Sequence, residues 1–139
     1  MPIALSVVTP EGQAYEGPAD TVVLPGSEGE FGVLPGHEAF LTALRIGPMT
    51  IQQPGGETLH ACVSQGFAEV HDDHVSVMVG SCEFAHEIDR TRAEIARDRA
   101  HQQLEAMRGT VEGEAAYQQY QDAYTRAVAR VAISDRFKS

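Results

Sequence analysis

The chain has no tryptophan, two cysteines, and aromatic residues at only 6% of its 139 positions. So few large rings exclude a surface built for stacking bases. Cys62 and Cys82 each lie in an apolar, strand-like run, with no spacing that makes a metal motif or a disulfide framework, so buried reduced thiols are expected. No run reaches the roughly 18 apolar residues needed to span a bilayer, and no basic stretch precedes an apolar core at the N-terminus. The expectation is a soluble, cytosol-facing chain without membrane insertion. Positive charge is scarce in the front part: residues 1–85 hold eleven acids and a single base, Arg45, whereas residues 86–139 hold nine of each. The net charge of −10 therefore belongs to the front part, which excludes sequence-independent binding of nucleic acid or anionic membrane there. A mass of 15.0 kDa accommodates one domain with a core, or a small domain with an appendage.

What is present is concentrated in Leu24 to His37, where a Leu-Pro-Gly triplet occurs twice, ten residues apart. Glycines at 26, 29, 32 and 36, with Pro25 and Pro35, rule out a helix and predict a tight loop. Its tip, Ser27 to Glu30, presents two carboxylates, while Phe31, Val33 and Leu34 anchor the base. Taken alone, the same letters suit an ordinary irregular hairpin.

Strands are expected at 3–8, 14–17, 21–24, 40–44, 48–52, 58–64, 67–70 and 75–79, with turns at Pro10-Glu11-Gly12, Pro54-Gly55-Gly56-Glu57 and a four-residue polar turn at His71 to His74. About seven to ten short strands before residue 86, with no crossover helix between them, predict an antiparallel sandwich or flattened barrel. From Ile88 the apolar period changes to that of a helix, with Ala93, Ala96, Ala100, Leu104 and Met107 on one stripe, Asp89 as N-cap and Gly109 as the stop. A second helix, from about 114 to 133, carries Ala116, Tyr120, Ala123, Ala127 and Val131. Alanine-lined stripes bury little area, so the two helices should pair weakly and reversibly. The resulting plan is α+β in sequence: residues 1–86 as an antiparallel β-sandwich and residues 87–139 as an antiparallel two-helix hairpin.

Three constellations invite chemistry. His71-Asp72-Asp73-His74 has metal-ligating letters, but a solvated turn needs the same residues and no third ligand. His37-Glu38 is no acid–base pair, because neighbours in a strand face opposite ways. No nucleophile elbow, Walker loop or cysteine nucleophile motif is present. On the first helix Asp89, Arg92 and Arg99 fall near one face, and Arg126 can face them across the hairpin. Guanidinium groups bind phosphate oxygens in bidentate fashion, so this cluster could hold a nucleotide; a solvated charged helix face accounts for the same spacing.

The string Leu24 to His37, followed by Leu41-Thr42-Ala43-Leu44, Gly47, the strand around Ile51, Val63-Ser64-Gln65-Gly66-Phe67 and a two-helix tail, resembles the epsilon subunit of the bacterial F-type ATP synthase over essentially the whole chain. The resemblance implies a sandwich of about ten strands and a mobile helical hairpin. It implies a non-catalytic rotor subunit of the central stalk, linking gamma to the c-subunit ring for proton-driven ATP synthesis and restraining ATP hydrolysis. Glu30 matches the position that reaches the c ring, with Ser27, Glu28 and His37 in or beside that region. Arg126, Arg130, Arg136 and Lys138 match a regulatory tail that meets the alpha and beta catalytic subunits. Ile88-Asp89-x-x-Arg92-Ala93, with Glu83, Arg99 and Arg126, matches a regulatory ATP site; the family's further arginine one turn before Arg126 is Asp122 here, an acid able to pair with Arg126 and repel phosphate. No required cofactor and no metal is implied, and the location implied is the cytoplasmic face of the bacterial cell membrane, held peripherally. A stand-alone nucleotide-sensing protein is the alternative reading, and a small hydrolase a more distant one.

Overall fold

The computed structural model describes residues 2–107 and 113–137. Ten strands form its first part: β1 (Ile3–Thr9), β2 (Gly12–Ala19), β3 (Thr21–Gly26), β4 (Gly29–Val33), β5 (Phe40–Leu44), β6 (Gly47–Gln52), β7 (Thr58–Val63), β8 (Gly66–His71), β9 (His74–Val79) and β10 (Cys82–Phe84). They make one sheet in the order β10-β7-β6-β3-β5-β8-β9-β1-β2, with β4 added on β3. The sheet folds over itself, and Tyr15 of β2 comes within 6.4 Å of Phe84 of β10, ring centroid to centroid, which brings the two ends together.

Period-two alternation drives this arrangement. Ile3, Leu5 and Val7 of β1 and Val75, Val77 and Val79 of β9 point inward on successive alternate positions, as do Ala68 and Val70 of β8. With Val22, Leu24, Val33, Met49, Ile51 and Val63 they fill one continuous core. All pairings are antiparallel except that of β1 with β9, where Leu5 lies opposite Val75 and Val7 opposite Val77 in a parallel register. No crossover helix is needed for it, because the seven strands in between themselves form the connection.

Two strands, β4 and β10, lie outside the eight stretches given strand bounds from the sequence. Gly29 to Val33 pairs with β3 through Val22↔Val33, Leu24↔Phe31, Pro25↔Glu30 and Gly26↔Gly29, so of the two readings of this stretch, a tight loop or a hairpin, it is a hairpin, with Ser27 and Glu28 as its turn. A Cβ at Gly26 would lie 2.6 Å from the Gly29 carbonyl oxygen, so the close approach of the two strands requires glycine. The three-residue β10 is too short to show a period. The turn between β8 and β9 is tighter than four residues: His71 pairs with His74, and Asp72 and Asp73 take φ of 48° and 60°, the geometry of a two-residue type I′ turn. The Asp73 carboxylate also accepts from Gly36 N–H at 2.7 Å, tying the Leu34 to His37 turn to this hairpin.

After a single 3-10 turn, Ala85–Glu87, the chain forms α1 (Arg90–Met107) and α2 (Glu114–Phe137). Asp89 caps α1, its carboxylate accepting Arg92 N–H at 3.1 Å. The stop expected at Gly109 lies outside the described residues. The α1–α2 seam buries Ala93, Ala100 and Ala127, with Leu104, Met107 and Tyr120 half-buried along it. Helix α2 continues to Phe137, past the expected end near 133, because no glycine or proline follows and its last turns rest on β6 and β7. There Ile133 joins Cys62, Ala85 and Ile88 in a second, much smaller cluster, flanked by Ala129 and Phe137.

Candidate functional site

The β3–β4 hairpin is strapped to its neighbour as well as paired within itself. Ser27 N–H donates to the Ala43 carbonyl and Arg45 N–H to the Pro25 carbonyl, both at 2.9 Å. Ser27 and Glu28 form the exposed turn, and Glu30, one strand position beyond Gly29, is exposed as well. These three residues share one tip. His37 belongs to the following turn: its N–H donates to the Leu34 carbonyl at 3.1 Å, its Nδ1 donates to the Glu38 carbonyl at 2.7 Å, and its ring meets Phe40 edge-on at 6.0 Å. Phe40 in turn packs edge-on against Phe31 of β4 at 5.4 Å, so the two turns are braced together.

A second surface escaped the sequence reading. Ala43, Phe67, Met78 and Val8 lie in register across β5, β8, β9 and β1. All four point away from the core, with Phe67 55%, Met78 48% and Val8 41% exposed, and Leu41 beside them is 64% exposed. Apolar side chains in the outward phase of alternating strands are the signal that could have found this row.

Polar and ring contacts hold the helices on the sandwich and on each other. Arg130 grips Glu83 of β10 with both ends of its guanidinium, Nε to Oε1 at 2.7 Å and Nη2 to Oε2 at 3.3 Å. Arg90 at the start of α1 binds both oxygens of Asp135, Nη2 to Oδ2 at 3.1 Å, and also Glu94. This hydrogen bonding holds the Asp135 carboxyl below its usual range. At the end of α2 the Phe137 ring stacks on His60 of β7, centroids 3.6 Å apart and planes within 7°.

Between β7, β10 and the helices lies a cleft of about 450 Å³, lined by Cys62, Ser64, Cys82, Glu83, Ala96 and Arg126 among others. Of the residues expected to bind nucleotide, it gathers Glu83 and Arg126 only. Glu83 is already engaged by Arg130. Arg126 has no hydrogen bond or ion pair among the described residues. Ile88 and Ala93 are fully buried in helix packing, and the Asp89 carboxylate is spent as a cap. Arg92 and Arg99 are exposed on α1 and do not line the cleft. The pairing of Asp122 with Arg126, one turn on, is not formed: Asp122 accepts from Gln118 Nε2 at 2.9 Å instead, because α2 supplies that donor one turn back. Of the expected tail contacts, Arg130 is the Glu83 partner, Arg136 lies 5.1 Å from the Phe137 ring centroid, and Lys138 lies outside the described residues.

The two thiols that line the cleft are not poised as nucleophiles. Burial, with Glu83 adding to it, pushes the Cys62 thiol up to about 11; burial and Glu87 push Cys82 up to about 12. The His71 to His74 letters are used by the turn itself, His74 Nδ1 donating to the Asp72 carbonyl at 2.9 Å. Among the described residues no three metal-ligating side chains converge.

A strapped acidic tip, an exposed apolar row and a helical pair laid against the sandwich are the surfaces this fold presents. Residues 2–85 match the family model described as ATP synthase, Delta/Epsilon chain, beta-sandwich domain. The ATP synthase epsilon chain of Nitratidesulfovibrio vulgaris is 44% identical over 93% of this chain and 92% of its own length. That of Syntrophobacter fumaroxidans is 39% identical over 96% of each. Among solved structures, a chain of the Euglena gracilis mitochondrial ATP synthase, in an assembly of OSCP, F1 and c-ring, superposes with a TM-score of 0.79 at 25% identity, over 94% of this chain and 80% of that one. The chain belongs to the ATP synthase epsilon chain family, and as such is a non-catalytic subunit.

Proposed function

We propose that this subunit works in the rotor of an F-type ATP synthase, joining gamma to the c-subunit ring so that proton-driven rotation is coupled to ATP synthesis. The observation that carries the reading is the β3–β4 hairpin, whose acidic tip is held in place by the Ser27 and Arg45 hydrogen bonds to neighbouring strands. An exposed carboxylate contributes little to fold stability, so a rigid tip bearing Glu28 and Glu30 is suited to contact the polar loops of a partner. The apolar row of Phe67, Met78, Val8 and Leu41 supplies the larger adhesive area for gamma. The subunit sits peripherally on the cytoplasmic face of the bacterial membrane; none of the described helices is long and apolar enough to cross it. The test is reconstitution with gamma and the c ring. Phe67→Asp should abolish co-purification with gamma, and Glu30→Ala should leave that complex intact while lowering coupling. Wild-type protein that fails to bind gamma would refute the reading.

Arg126, which lines the cleft and has no hydrogen bond or ion pair among the described residues, favours a second role, regulation by ATP through the hairpin, which in its released form would meet the alpha and beta subunits and restrain hydrolysis. Binding to the docked hairpin alone would shift the population toward the non-inhibitory state. In calorimetric titration of the full chain, Asp122→Arg should tighten ATP binding at least about tenfold, since a charge-assisted contact contributes about 1.5 to 3 kcal/mol. Arg126→Ala should weaken it. Unchanged binding in both variants leaves Arg126 as part of a solvated helix face.

A further inference from the structure

The second, smaller cluster leaves the last turns of α2 dependent on a few contacts, and a titratable ring is one of them. His60 lies on the face of β7 that meets α2, with Thr50 Oγ1 of β6 3.2 Å from its Nδ1 and the Phe137 ring stacked flat against it at 3.6 Å. The Arg136 guanidinium stands 5.1 Å from the centroid of that same Phe137 ring. A cleft of about 330 Å³ joins His60, Thr50, Arg136 and Phe137 to Glu30 of β4.

We propose that the His60–Phe137 stack is a proton-operated latch: the neutral imidazole holds the end of α2 on the sheet, and protonation beside Arg136 loosens it. A second cation against a ring already faced by a guanidinium meets like charge, and the part-buried imidazolium loses hydration in the docked state. The other charged groups around the stack do not offset this. Glu83 on β10 is neutralised by Arg130, Asp135 on α2 by Arg90, and the Glu87 carboxylate beyond β10 accepts Phe84 N–H at 3.1 Å. Glu30 faces the cleft from an exposed strand position, where water screens it.

Partial burial first, then Arg136, lowers the His60 pKa below its ordinary 6.5. The released helix end therefore binds the proton more readily than the docked one. Docking is at full strength above pH 6.5 and weakens as pH falls from there toward the docked-state value, below which it changes no further. The device needs only that α2 docks, so its failure and that of the rotor assignment are separable.

The experiment is NMR of the full chain between pH 7.5 and 5, following the His60 ring and the Phe137 ring together, with amide exchange of the last two turns of α2 corrected for intrinsic rates. In the wild type, His60 should titrate below its ordinary 6.5, and protection of the α2 end should fall over the same range. His60→Phe keeps a ring on the stack and should hold protection constant with pH. Arg136→Gln should move the His60 titration upward and reduce the loss. Protection that is independent of pH, that rises on acidification, or that falls equally in His60→Phe would overturn the latch.

Discussion

The sandwich and the helical pair are held together by different means. In the sandwich, branched aliphatic side chains from strands far apart in sequence interlock in one core, and every strand is stitched to a neighbour by ladder hydrogen bonds. In the helical pair, the buried seam residues are alanines, Arg90 clamps α1 to Asp135 of α2, and among the described residues attachment to the sheet rests on one small cluster, one arginine–carboxylate clamp and one ring stack. The difference teaches that side-chain size sets how firmly each contact holds. Large buried aliphatics each contribute a few kcal/mol and cannot be exchanged for water piecemeal, whereas alanine contacts and partly exposed ion pairs are each worth little and can be undone one at a time.

The comparison breaks most visibly at Gly66, where a Cβ would lie 1.9 Å from the Met78 carbonyl oxygen of the paired strand. Gly66→Val should cost above about 4 kcal/mol, seen as loss of folded protein in denaturant titration, because backbone and not a flexible side chain must move. Leu24→Ala, at a fully buried site, should cost about 2 to 5 kcal/mol by the same measurement.

The two thiols lie where the regions meet. Their pKa values are raised from 9.0 to about 11 and about 12, so the folded state keeps protons that the unfolded state releases. Stability should therefore be complete below pH 9 and fall as pH rises toward those values, and a double Cys62→Ala, Cys82→Ala variant should lose that alkaline slope in urea titrations at pH 8 and pH 10. Cutting one clamp sharpens the contrast further: Glu83→Gln should leave the sandwich melt in place while lowering exchange protection in α2, a loss of about 1 kcal/mol. At the small end, Glu30→Ala should change stability by less than about 0.5 kcal/mol, because the side chain is exposed and makes no contact that the hairpin depends on. A thermal melt displaced by several degrees would place Glu30 in the fold's support, against its assignment to the docking tip.

Much of this architecture was legible in the order of residues. Alternation in 3–8, 67–70 and 75–79 marks strands because a pleated chain sends successive side chains to opposite faces, and Asp89 ahead of an alanine-periodic run marks a helix start because its carboxylate can accept the free N–H groups there. The motif letters around Leu24 to His37 carried the family. A hairpin was readable around Leu24 to His37, but not the bounds and register of its second strand, since with Gly29 and Gly32 in it that strand presents too few side chains to show a period.

The candidate site divides in the same way. Local chemistry fixed which residues are acidic, basic or apolar, and the spacing on each helix fixed which of them share a face. Only the tertiary structure decided the long-range partners, because those lie dozens of residues apart: Arg130 closes on Glu83, Arg90 on Asp135, and Phe137 on His60, while Arg126 beside the cleft has no hydrogen bond or ion pair among the described residues. The outward row of Phe67, Met78 and Val8 likewise exists only after β1 is laid parallel to β9, a pairing that joins the beginning of the sandwich to its ninth strand and that no local pattern specifies. Sequence sets the face a side chain occupies through backbone periodicity; which faces meet is settled by closing the whole sheet around one core.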